Sequence, residues 1–256
     1  MELSEIVDLA TARASRGVRI VVSALVPSPW SEAAKNVFHL AGVPTKWVRA
    51  GRPDEALAAW TRAHNVPVVF SNDEPPRSNW ADIVDLAARL ARTPIVPTDA
   101  ASRVRTFGLL HELAGEDGLG WSGRLLMIDA GLQSDGKRGF SLPVARYLAP
   151  KYGHSAERVA PARARIHDVL ALFDRELASC PSGYLAGAAP GALDVYVATF
   201  LAPILGVSEE ECPGMRPELR AAFATLRDDP ALEVPPSLVA HRSRMYERHL
   251  PLPIRL

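Results

Sequence analysis

Two serines, Ser28 and Ser31, stand where a β-branched run over residues 18–22 gives way to a helical pattern. Pro27 ends the strand pattern, and Ala33, Ala34, Val37, Phe38, Leu40 and Ala41 then recur at helical spacing until Gly42 and Pro44 stop the helix. The first turn of such a helix offers unpaired backbone N–H groups and the positive end of its dipole, which favour an anion. A serine hydroxyl there can donate to that anion. Equally, Ser28 or Ser31 can cap the helix, with Glu32 in its first turn. A second feature is Val66-Pro67, which opens an extended run over residues 65–70. Proline lacks the ladder N–H and belongs at a strand start or edge. A cis bond there would turn Val66 outward and leave its N–H and C=O to pair with a bound peptide. Both readings are open from the residues alone.

The elements that position these groups alternate. A short strand is expected at 45–49, a helix at 53–63 with Pro53 in its first turn, and a helix at 79–92 with Ile83, Leu86, Ala87 and Leu90 on one face. Strands alternating with helices predict an α/β layer. Residues 93–98 read as a linker. Beyond it, helical patterns cover 99–114, 121–132, 142–151, a long helix capped by Ser155 and ending near Cys180, 217–227 and 238–249. The first 17 residues read as a short amphipathic helix laid on the domain.

Composition narrows the functions. The 256 residues are 48% hydrophobic with formal net charge +0, so neither nucleic acid nor an anionic membrane surface is an expected partner. No apolar run reaches the ~18 residues of a membrane span. The N-terminus has no apolar signal core. Cys180 and Cys212 lie far apart without CxxC spacing, which predicts a reduced, cytoplasmic protein. HExxH, paired CxxC, GxGxxG and P-loop patterns are missing, so neither metal nor nucleotide chemistry is expected.

Strand, Ser28-Pro29-Trp30-Ser31, helix, then a Val-Pro strand and another helix resembles the thioredoxin-like domain of cytosolic glutathione S-transferases, most closely a bacterial type with serine at the active-site position. Tyr184-Leu185-Ala186-Gly187, followed by Gly191 and Asp194, is similar to the block that opens the family's central helix. The resemblance spans nearly the whole chain beyond residue 17. It implies an α/β N-terminal thioredoxin-like domain at 18–92 and an all-α C-terminal domain at 99–256, the glutathione-transferase fold, assembled as a homodimer. It also implies glutathione as co-substrate, no metal, and a small hydrophobic electrophile.

By that resemblance Ser28 is the catalytic residue and Ser31 the runner-up. Ser31, Val66, Pro67, Ser78, Asn79 and Trp80 bind glutathione, and Arg105 and His111 line the electrophile side, with Arg103 and Phe107 as further candidates. Three departures stand out. Asn79-Trp80 occupies the place of the usual acid–serine pair, with Ser78 beside Arg77 one residue earlier. Pro75 and Pro76 interrupt the usual fourth strand. Gly191 replaces the hydroxyl before Asp194. Positions 28 and 31 carry no cysteine, which disfavours disulfide exchange.

The chemistry can be sized. A free thiol of pKa ~8.5 is only about 3% thiolate at pH 7, and lowering it by about two units takes roughly 2.7 kcal/mol. One or two hydrogen bonds to the sulfur plus a helix N-terminus supply that amount. The alternative is a glutathione-transferase-like protein kept for binding or assembly, without turnover.

Overall fold

The computed structural model describes residues 3–51, 54–63 and 65–256. The β-branched run forms β2 (Val18–Ser23), the centre of a mixed sheet with β1 (Ser4–Ile6), β3 (Thr45–Ala50) and β4 (Val68–Ser71) in the order β1-β3-β2-β4. β3 runs parallel to both β1 and β2, and β4 runs antiparallel to β2. Alternate residues face opposite sides of the pleat. Val18, Ile20, Val22, Trp47 and Val69 face the larger core under α2 (Pro29–Leu40) and α4 (Trp80–Leu90). Val21, Val48, Val68 and Phe70 face a smaller core under α1 (Leu9–Ala14) and α3 (Glu55–Thr61), where Trp60 stacks on Phe70 at 4.1 Å.

Two expectations change here. The first 17 residues are not simply helical: residues 4–6 are a strand and only Leu9–Ala14 is helix. A free strand edge on β3 offers unpaired backbone groups that any short extended segment can satisfy, and the helical pattern cannot register this. The two prolines do keep residues 72–76 out of the sheet, and only an isolated bridge, Val69 to Arg77, occupies the position of a further strand. The fourth strand therefore comes from the N-terminus. The expected start of α3 at Pro53 lies outside the described residues; Asp54 caps the helix through Leu57 N–H at 3.0 Å.

The second half is helical: α5 (Ala100–Ala114), α6 (Leu119–Gln133), α7 (Leu142–Lys151), α8 (Ala156–Val159), α9 (Ala162–Ala178), α10 (Ala192–Phe200), α11 (Ala202–Leu205), α12 (Pro217–Arg227) and α13 (Pro236–Arg248). The single long helix expected after Ser155 is two helices. Pro161 lacks the N–H that would continue α8, and α9 starts behind it. α10 is buried along its length and packs against α2, so one core runs from the sheet into the helical half.

Candidate active site

β2 delivers the chain to α2, with Ser28 at the N-cap. Val21 faces Val68 across β2 and β4, so continuing that register puts Val66 and Pro67 level with Ser23 and Val22. Arg77 pairs with Val69 on the outer side of β4, in both directions, at 2.8 and 2.9 Å. The antiparallel chain beyond it runs back toward Val66 before it enters α4. The N-terminus of α2, the start of β4 and the N-terminus of α4 thus converge at one end of the sheet. α5 crosses that end. Phe107 and His111 stand 6.2 and 6.1 Å from the Trp80 ring, and the Ala114 carbonyl accepts from Trp30 Nε1 at 3.0 Å.

Within this frame Ser28 is unspent. It is only 8% exposed, yet its hydroxyl makes no capping bond and has no hydrogen-bond partner among the described residues. It is also not among the fully buried polar atoms left without a partner, so the oxygen reaches open space. The Val66–Pro67 bond is cis. Among the described residues neither the N–H nor the C=O of Val66 is hydrogen-bonded, and the residue is half-buried. An unused donor at a helix N-terminus and an unused backbone N–H and C=O at the same end of the sheet make an arrangement suited to a peptide carrying an anion.

The remaining candidates divide. Ser31 is buried, and its oxygen accepts from Ser23 N–H at 3.2 Å and donates to the Ser23 hydroxyl at 3.4 Å, so it ties α2 to the end of β2 instead of opening onto the cleft. Ser78 and Asn79 are exposed, and the Asn79 side-chain oxygen caps α4 by accepting from Ala81 N–H at 2.8 Å. Trp80 is half-buried against α5. His111 faces Trp80, but Arg105 points away and pairs with Glu176 of α9 at 2.5 and 2.6 Å. Arg103 pairs with Asp85 of α4 and lies 4.8 Å over Phe107. Two neighbouring α5 residues thus leave in opposite directions, which helical spacing permits and sequence does not assign.

Trp30 and Trp121 are packing residues, as their types suggest. Trp30 sits edge-on to Phe200 at 5.0 Å, and Trp121 lies 4.7 Å from Tyr152. Sequence reading passed over Arg124. It is the one charge between Trp121 and Ile128 in an otherwise uncharged stretch of α6, and that isolation was the available signal. Its guanidinium lies 5.9 Å from the Trp30 ring, and Trp30 stands two residues after Ser28 in the first turn of α2.

No protein-family model matches the chain, and no curated protein matches it. Solved structures do. A glutathione S-transferase from Methylobacillus flagellatus KT with glutathione bound aligns at TM-score 0.57 and 13% identity, over 91% of this chain and 96% of that one. Glutathione transferase Omega 3C from Trametes versicolor aligns at TM-score 0.52 and 12% identity, covering 87% and 90%. A glutathione S-transferase from Methylobacterium radiotolerans JCM 2831, in complex with glutathione sulfonate, aligns at TM-score 0.51 and 19% identity, covering 89% and 94%. At these identities the likeness establishes the fold: a thioredoxin-like N-terminal domain joined to an all-helical C-terminal domain.

Proposed function

We infer that this chain is a glutathione S-transferase-type enzyme that binds glutathione at the N-terminal end of α2 and activates its thiol through Ser28. The observation that carries this reading is the Ser28 hydroxyl, almost enclosed yet without a partner among the described residues, in a fold whose solved neighbours include a glutathione S-transferase with glutathione bound. Val66 supplies the backbone edge for the tripeptide, held by Pro67. Asn79 and Trp80 take the γ-glutamyl end, with Ser78 the nearest free hydroxyl.

Ser28 does not ionise. Its O–H donates to the thiolate and holds the charged form at neutral pH, together with the α2 N-terminus. The thiol proton leaves to water. The sulfur's electron pair then forms a C–S bond to an electrophilic carbon, and the leaving group departs with its own pair or an adduct carbanion is protonated by water. Phe107 and His111 of α5 form the wall against which a small apolar electrophile lies. Retention on immobilised glutathione, followed by a conjugation assay comparing wild type with Ser28→Ala, tests the reading; neither retention nor turnover in the wild type sinks it.

A specific observation favours a second reading, a binding or assembly protein without turnover. Trp80 fills the first position of α4 with an indole packed on α5, where the family resemblance expects a hydroxyl. Retention on glutathione without turnover selects it. The proposed homodimer uses the outer faces of α4 and α5, where Val104 is 74% exposed; light scattering reads the assembly directly. The two free thiols, Cys180 and Cys212, accord with the proposed cytoplasmic location, which the distribution of activity between cytosolic and secreted fractions checks.

A further inference from the structure

Arg124 is an anomaly that the proposed function leaves unused. It is 94% buried by its 6% exposure, in the middle of the helical domain, and no carboxylate pairs with it among the described residues. Nor, among the described residues, does any carbonyl or hydroxyl accept from it. Its guanidinium lies between two rings, 5.9 Å from Trp30 and 5.3 Å from Phe140. Stacked rings satisfy its faces but not its N–H edge, which carries five donors. None of these nitrogens is among the fully sealed atoms without a partner, so part of that edge stays accessible.

A second cation adjoins it. Lys151, at the end of α7, is exposed as a residue, but its ammonium stands 5.7 Å from the Tyr152 ring. Burial of that ammonium, followed by the Arg124 charge, holds it below the ordinary lysine value. Tyr152 in turn lies 6.4 Å from Trp30. Among the described residues no acid pairs with either cation, so the buried Arg124 charge is costly and an anion between the two would offset it. A planar guanidinium edge matches a carboxylate in two-pronged geometry.

Resting on the glutathione-transferase reading, we propose that Arg124, seconded by Lys151, is a carboxylate subsite beside the α2 N-terminus, and that the electrophile is an aromatic or unsaturated carboxylic acid. The carboxylate of such a substrate lies on Arg124 and its electrophilic carbon toward Ser28, with its apolar body running from the edge of Trp30 toward the Phe107 and His111 wall.

The test compares two near-isosteric electrophiles, 4-chloro-3-nitrobenzoate and 1-chloro-2,4-dinitrobenzene. In both, the thiolate forms the C–S bond and chloride leaves with the C–Cl pair. After division by the uncatalysed rates, wild type favours the acid, and Arg124→Met, which keeps the stacked shape, lowers the acid-over-neutral ratio of kcat/KM roughly ten- to a hundredfold. Arg124→Lys restores part of that ratio, which a merely structural arginine would not do. An unchanged ratio overturns the proposal. Calorimetric titration of wild type with benzoate is independent of turnover: saturable binding weakened at least about tenfold in Arg124→Met supports the site, and no binding to wild type overturns it even if conjugation proceeds. If Arg124→Met weakens glutathione and benzoate equally, the carboxylate held there is the tripeptide's and the electrophile assignment falls. If glutathione chemistry is absent while benzoate binds at Arg124, the proposed function falls and the anion site stands. Should Arg124→Met not fold, Lys151→Met and the wild-type benzoate titration decide.

Discussion

The chain packs two helices, α2 and α10, against each other in the core, and it treats their N-termini in opposite ways. At α10, Asp194 gathers the backbone: its carboxylate accepts from Gly191 N–H at 2.9 Å, Leu185 N–H at 2.7 Å and Ala186 N–H at 3.2 Å. That carboxyl is completely buried, and burial pushes its pKa up while the three N–H groups pull it down. Gly191 provides no hydroxyl, and none is required once Asp194 closes the end. Across the interface, α2 begins at Ser28 with nothing bonded to the side chain. A closed N-terminus contributes to folding; an open one keeps its donors and dipole for a ligand.

Removing the clasp should have the largest effect. Asp194→Ala leaves three N–H groups without their acceptor, that of Gly191 buried and those of Leu185 and Ala186 part-buried, a loss of about 3 kcal/mol. Calorimetry should then show Tm lower by about 6–12 °C for a chain of this size, with Asp194→Asn between the two because one oxygen remains. A small shift for Asp194→Ala would mean that the two ends are not so different. Ser28→Ala should do the converse. Its Tm stays close to wild type, since no bond is lost, while the pKa of the bound thiol, read from thiolate absorbance against pH, rises by about one to two units. A Tm drop as large as that of Asp194→Ala would return Ser28 to the role of a cap. Ser31→Ala sharpens the contrast three residues on. Losing its bonds to Ser23 should cost about 1 kcal/mol of stability without moving the thiol pKa.

The smallest effect is a pH dependence at the far end of the same helix. Burial depresses the His39 pKa below its ordinary value. The unfolded chain therefore takes up that proton first as the pH falls, and the stability contributed by neutral His39 is present above about pH 6.5 and lost as the pH drops through the folded value. His39→Gln should flatten the Tm–pH curve over that interval. An unaltered curve would show that His39 remains solvated in the folded chain.

The legible parts of the molecule were those set by local pattern. The β-branched run, the helical repeats and the stop at Gly42, which takes φ +69°, all depend on neighbours a few residues away. The proline pair that bars residues 72–76 from the sheet and the Asp194 clasp were readable for the same reason, since a missing N–H and a carboxylate three residues into a helix act nearby. Ser28 was legible as a position at a strand–helix junction, though whether its hydroxyl was free was not.

What the chain's own order left undecided were choices between distant partners. Arg105 takes Glu176, 71 residues away; Ser31 turns back to Ser23; the N-terminal strand finds the vacant side of β3; and Arg124 is left among rings without an acid. Helical spacing places a side chain on a face but does not say what the fold will bring opposite it. Periodicity thus determined the scaffold and the place of the serine, while long-range packing alone decided which polar groups were consumed in holding the protein together and which were left for a ligand.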